Sequence, residues 1–220
     1  NLSDKVRAIL PVHFAGMPAN MNEITHIAKK NNLLIIEDCA HAIGTKKENR
    51  HVGTFGNTGC FSFYPTKNIT TIEGGMVSSN VEEIISIARS LAWWGRGCHC
   101  VGKQNLLANG VCGKRFDKWI EGYDETVDHK YLFENIGYNL KPADFQGAIG
   151  IAQLKKFNEV HAIRRSNKEQ LDAIFQRISG LRTITELPQA ETSWFGVPLV
   201  CNSKTQKRSL VSFLEENSIQ

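Results

Sequence analysis

The 220-residue chain has no apolar run approaching a membrane span, and its N-terminus shows no basic-then-apolar leader pattern. A spanning helix and a secretory signal are both unexpected, and a cytoplasmic location follows by default. Lysine and arginine are scattered rather than massed, and the formal net charge is only +4. Nothing in that pattern tracks a phosphate backbone, so neither nucleic acid nor a membrane is an expected partner. Internal repeats and low-complexity segments are missing as well. Six cysteines (Cys39, Cys60, Cys98, Cys100, Cys112 and Cys201) stand in a long chain without a leader, so they read as buried thiols or metal ligands rather than a disulfide frame. No start methionine precedes Asn1, and the chain stops just after an amphipathic stretch. A piece of a longer protein, truncated at both ends, is the expectation.

What is present is an ordinary globular composition, 41% hydrophobic and 22% charged, enough for one domain or one and a half. Residues 6–14 are apolar and extended. Asn20-Met21-Asn22-Glu23 has the form of a capping box ahead of a helix to about residue 31. Residues 33–37 form a bare apolar strand of the kind buried in parallel sheets, which completes a βαβ unit. Residues 60–64 and 75–78 read as strands, and Asn80-Val81-Glu82-Glu83 opens a helix through residue 92. Residues 95–130 are rich in Gly, Cys, Asn and charge without a period, an inserted loop of functional length. Pro142 suits the first turn of a helix over 145–160, and a further helical stretch runs to 178. Strands over 181–187 and 195–200 and a helix over 204–217 follow. The fold expectation is α/β with a mainly parallel sheet: one domain over 1–141, then the start of a smaller α+β domain over 142–220.

Three side chains carry the chemistry. Asp38 ends the strand Leu33-Leu34-Ile35-Ile36-Glu37, and open α/β sheets bind ligands at such strand ends. Its blander alternative is a cap or loop acid. Lys67 follows the aromatic run Phe61-Ser62-Phe63-Tyr64 and precedes Glu73-Gly74-Gly75. A surface lysine is the usual fate, but the apolar approach favours a nucleophilic amine. Ser62 stands five residues before Lys67 and is a strand serine or a phosphate ligand. An acid for a pyridinium nitrogen, a hydroxyl for a phosphate and an amine for covalent attachment are the groups a pyridoxal phosphate site needs. His41, three residues after Asp38, either is structural or lies over the cofactor ring. Cys98-His99-Cys100 with Cys112, completed by Cys39 or Cys60, is a candidate metal set. Its spacing fits no zinc pattern, and loop thiols are the better reading.

These residues resemble a known family. Val12-His13-Phe14-Ala15-Gly16, Glu37-Asp38-Cys39-Ala40-His41-Ala42, Arg50-His51-Val52-Gly53, Phe61-Ser62-Phe63, Lys67-Asn68-Ile69-Thr70, Glu73-Gly74-Gly75, Gly137-Tyr138-Asn139 and the stretch from Ala148 to Leu154 are similar to motifs of the DegT/DnrJ/EryC1/StrS sugar aminotransferases. The resemblance implies a fold-type I pyridoxal phosphate enzyme, acting on a nucleotide-linked keto sugar in surface polysaccharide or deoxysugar biosynthesis. It implies covalent pyridoxal 5'-phosphate on Lys67, which also moves protons, with Asp38 at the ring nitrogen, His41 at the ring and Ser62 at the phosphate. Asn139 would reach the phosphate of the neighbouring subunit's cofactor, in a homodimer with shared sites, and glutamate would be the amino donor. The middle section, from Trp94 through Cys112 to Lys141, resembles the branch of CDP-4-keto-6-deoxyglucose 3-dehydrases. That branch implies pyridoxamine phosphate and a [2Fe-2S] cluster on Cys39, Cys98, Cys100 and Cys112. Here Lys67 stands where the branch carries histidine, and Cys39 is one residue early, so amino transfer is favoured over dehydration and the cluster is not. A truncated, inactive scaffold subunit is the third alternative.

Overall fold

A computed structural model describes residues 3–98, 115–117 and 120–219; expectations for Cys100 and Cys112 lie outside these. The chain divides into two compact units, Asn1–Asn80 with Asp144–Gln220, and Val81–Ala143. The expected split into 1–141 and 142–220 is not the division the contacts make. Residues after 144 fold back onto the first 80 through strand pairing and buried hydrogen bonds, described below.

In the first unit β1 (Ala8–Ile9), α1 (Met21–Lys30) and β2 (Leu34–Asp38) form the expected βαβ unit, with β1 and β2 parallel. β3 (Lys46–Lys47), β4 (Arg50–His51), β5 (Thr58–Ser62) and β6 (Gly75–Ser78) follow. The main sheet has the order β1-β2-β5-β6; β5 joins β2 in parallel and β6 joins β5 antiparallel. Thus the sheet is mainly parallel, and α1 covers it. Met21 and Ala28 of α1 pack with Ile35 of β2, flanked by Ile9, Ile24, Leu33 and Phe55. Burying Met21 and Ile35 there is worth about 1.5–3 kcal/mol each. Glu23 in the first turn of α1 and Lys29 and Lys30 in the last complement its dipole. Asn20 is the N-cap, but its side chain makes no cap bond. The extended run expected over 6–14 pairs with β2 at Ala8–Ile9 and again through a bridge from Val12 to Asp38, and Phe14–Gly16 then turns as a short 3-10 helix.

The rest of this unit is α3 (Asp144–Phe175), β7 (Leu181–Thr183), β8 (Ala190–Glu191), β9 (Leu199–Cys201) and α4 (Lys204–Glu216), while α2 (Glu82–Ala92) belongs to the second unit. The two helical stretches expected after Pro142 are one helix, since residues 151–175 contain neither Gly nor Pro to break it. β7 and β9 form an antiparallel ribbon, shorter than the strands expected there. β8 pairs antiparallel with β3, giving a small sheet of order β4-β3-β8. Among the described residues no helix is long and apolar enough to cross a membrane.

The second unit opens with α2 (Glu82–Ala92), whose N-cap is Val81 rather than the expected Asn80. The N–H groups of Tyr138 and Leu140 donate to the carbonyls of Leu91 and Ala92 at 2.7 and 2.9 Å, tying the returning chain to the helix end. Gly95 makes the turn at φ +82°, and a Cβ there would lie 1.7 Å from the Asn135 carbonyl oxygen.

Candidate cofactor site

β2 and β5 lie side by side, with Asp38 opposite Cys60 in the parallel register. Adjacent strand residues point to opposite faces, and the two acids at the end of β2 therefore have separate fates. Glu37 is fully buried. Its carboxylate accepts from His13 Nε2 (3.0 Å), Gly53 N–H (2.8 Å) and Gly56 N–H (2.6 Å). His13 Nδ1 in turn accepts from Ala19 N–H at 3.0 Å, so Nε2 carries the ring proton. Burial alone would raise the Glu37 pKa; the bonds from His13, Gly56 and Gly53 outweigh it and leave the carboxyl below its ordinary range. Glu37, His13 and Cys39 lie within ligand distance of one another, but hydrogen bonds already engage both His13 nitrogens and both Glu37 oxygens.

Asp38 faces the other way. Its Oδ1 accepts from Ala40 N–H at 3.0 Å, and its backbone is fixed by bonds to Pro11 and His13. A bond from Ala42 N–H to Cys39 O closes the next turn and presents His41. Cys39 is buried in a cluster with Ala42 and Val52. Burial, then the charges of Glu37, Asp38 and Cys60, pushes its thiol up.

Lys67 lies in the loop between β5 and β6. That loop is closed at its base, where Phe63 N–H donates to Gly74 O (2.9 Å) and Thr71 N–H donates to Phe63 O (3.0 Å). Lys67 N–H donates to Tyr64 O at 2.9 Å, and buried Asn68 and Ile69 anchor the loop's middle. Lys67 Nζ sits 5.1 Å from the centre of the Phe195 ring. The His41 ring stacks on that same ring, with centroids 4.1 Å apart and planes 6° from parallel. Burial first, then the charge of Lys67, holds the His41 imidazole below its ordinary value, with Asp38 pulling the other way. The charges of Asp38 and Lys67 thus both act on His41.

The remaining expected residues stand as follows. Ser62 ends β5, its hydroxyl accepting from Tyr64 N–H at 3.4 Å. Asn139 is exposed in the second unit and bridges to Trp93. Cys98 is also in that unit. Sequence reading missed Phe195, which it put at the start of a strand; the strand begins only at Leu199, and Phe195 lies in irregular chain. The signal available was Thr192-Ser193-Trp194-Phe195-Gly196, a small-polar pair running into aromatics and a glycine.

The sequence model of the DegT/DnrJ/EryC1/StrS aminotransferase family matches residues 2–220. The chain is 38% identical over 224 residues to the lipopolysaccharide biosynthesis protein RfbH of Salmonella typhimurium, covering 99% of this chain and 50% of that protein. It is 36% identical over 220 residues to dTDP-4-dehydro-2,6-dideoxy-D-glucose 3-dehydratase of Saccharopolyspora spinosa, covering 99% of this chain and 47% of that protein. Among solved structures, E. coli GDP-4-keto-6-deoxy-D-mannose-3-dehydratase with bound hydrated PLP superposes with a TM-score of 0.81 at 30% identity, covering 100% of this chain and 53% of that one. The chain thus spans about half the length of the curated relatives it matches.

Proposed function

This chain belongs to the DegT/DnrJ/EryC1/StrS aminotransferase family, and on that premise we propose that its protein is a pyridoxal phosphate enzyme that transfers an amino group, from a donor such as glutamate, to a nucleotide-linked keto sugar. One observation carries the reading: a lysine amine, Lys67 Nζ, stands in the same cluster as the strand-end acid Asp38 and the ring of His41. The protein would work as a cytoplasmic homodimer.

The residues fit the cofactor on a feature of their own. His41 Nδ1 is buried and meets no hydrogen-bond partner among the described residues, so a ligand's ring hydroxyl can satisfy it. Asp38 would pair with the ring nitrogen, Ser62 would bind the phosphate, and Asn139 would reach the phosphate in the partner's site. Bound there, pyridoxal phosphate supplies an electron sink for carbanion chemistry. Lys67 does two things that this reaction needs: its amine is a nucleophile toward a carbonyl, and it accepts and returns a proton at Nζ. Imidazole moves protons but lacks the primary amine for the first task.

A second reading, 3-dehydration of a nucleotide-linked keto-deoxysugar, is favoured by the names of the relatives at 36% and 30% identity. A cluster on Cys39, Cys98, Cys100 and Cys112 would go with it. Borohydride reduction of the full-length protein, followed by peptide mass mapping, is expected to place the cofactor mass on Lys67. Incubation with glutamate and a nucleotide-linked 4-keto-6-deoxysugar is expected to give an aminosugar. A 3-deoxy product, or a label on another lysine, overturns the proposal.

A further inference from the structure

Residues 192–195 belong to no helix or strand, yet their backbone is held from three directions. From the α3 side, Arg165 Nη1 donates to Thr192 O, and Arg164 Nη1 donates to the carbonyls of Trp194 and Phe195, all at 3.1 Å. From the turn after β1, Ala15 O accepts from Phe195 N–H at 2.9 Å. Gly16 beside it has φ +94°, and a Cβ there would lie 2.1 Å from Ser193 O, so the two segments touch backbone to backbone. From the lysine's own loop, Asn68 Nδ2 donates to Ser193 Oγ (2.9 Å) and Ser193 O (3.2 Å). Because a carbonyl accepts one of these, the amide can face Ser193 only with its NH2 group. Thr192, Ser193 and Trp194 are at most 5% exposed. What this restrained segment delivers is the Phe195 ring, against both His41 and Lys67.

We propose that Phe195 is a positioning residue of the site, an aromatic wall that orients the Lys67 amine and the His41 ring, and that Asn68 is the latch joining the lysine's loop to that wall. The inference rests on the reading of Lys67 as the cofactor-binding lysine. A lysine side chain samples many rotamers in water. The negative face of an aromatic ring attracts its ammonium and narrows that choice. Parallel stacking fixes the His41 ring plane in the same act. Asn68 is bonded directly to Lys67 through the chain, so its two bonds to Ser193 hold the lysine's backbone one peptide away from its Cα. Fixing reacting groups in advance raises the fraction of productive encounters.

The test uses full-length protein with histidine labelled at Cε1, free of cofactor and then loaded below saturation, in wild type and in Phe195→Leu, Phe195→Tyr and Asn68→Ala variants. In the cofactor-free wild type, ring current from Phe195 is expected to displace the His41 proton resonance upfield. Phe195→Leu is expected to abolish that displacement, Asn68→Ala to reduce it and Phe195→Tyr to keep it. The yield of cofactor trapped on Lys67 is expected to fall about threefold to tenfold in Phe195→Leu and Asn68→Ala, and to hold in Phe195→Tyr. Phe195→Met fills the space without a ring and replaces the leucine variant if that one does not fold. If wild type traps on Lys67 while the resonance and the yield stay unchanged in the ring-less and latch variants, the positioning role is overturned. If wild type traps nothing on Lys67, the functional reading falls and takes this role with it.

Discussion

Glu37 and Asp38 are neighbours in the chain and opposites in the fold. Glu37 is an anion shut away from water and met by three donors. A carboxylate whose folded pKa is depressed adds stability that is fully present above its unfolded value, about 4.3, and is lost as pH falls through the folded value. Acid denaturation of the wild type is therefore expected to steepen below about pH 4. Glu37→Gln sets an amide NH2 against the Gly53 or Gly56 N–H donors and is expected to cost about 2–4 kcal/mol in urea unfolding at neutral pH, with a flatter acid limb. The positions of Asp38 at a strand end and Lys67 in a loop were legible because their signals are local: an apolar strand ending in an acid, and an aromatic strand leading to a lysine. That Glu37 and Asp38 face opposite sides follows from strand alternation, but which of them meets the buried side was not legible, because that depends on what packs against each face of the sheet. Phe195 was invisible for a similar reason, since its partners His41 and Lys67 lie far back in the sequence.

Capping-box patterns marked the starts of α1 and α2, and α1, α2 and α4 fall within about two residues of their expected spans. β3, β4 and β8 have two residues each, too short for any alternation to register. β3 and β4 close on each other as a tight local hairpin, and β8 forms only because a partner distant in sequence, β3, meets it there. The long α3 shows how an element holds others in place. Lys168, on its buried side, donates to Asp172 Oδ1 and Oδ2 at 2.6 and 2.5 Å and to Ile184 O at 3.2 Å. Its ammonium also lies 4.5 Å from the centre of the Trp194 ring. Lys168→Met keeps the bulk but strips the charge from this knot, leaving Asp172 to water. A loss of about 1–3 kcal/mol in urea unfolding is expected, with the helical signal retained before the transition.

For the molecule as a whole, the first unit is discontinuous: residues 1–80 are completed by residues 144–220. β8 lies on β3, Thr45 Oγ1 accepts from Ser193 N–H at 2.9 Å, and Lys47 Nζ donates to Pro188 O at 2.7 Å. A chain ended after Ala143 loses all of these along with α3. It is expected to melt without a cooperative transition by circular dichroism, whereas the chain to Gln220 melts cooperatively. Neither the discontinuity nor its edges could be read beforehand. Composition does not change at residue 80, and Pro142 looks the same whether a helix returns to the first unit or departs from it.

The bond from Asn68 to Ser193 joins residues 125 apart. On a ribosome adding about 5–20 residues per second, the lysine's loop emerges roughly 6–25 s before its partner is made. The parallel pairing of β1, β2 and β5 needs nothing from that later sequence, so the frame can assemble early. The surroundings of Lys67 are then completed late, by polypeptide made 125 residues after Asn68.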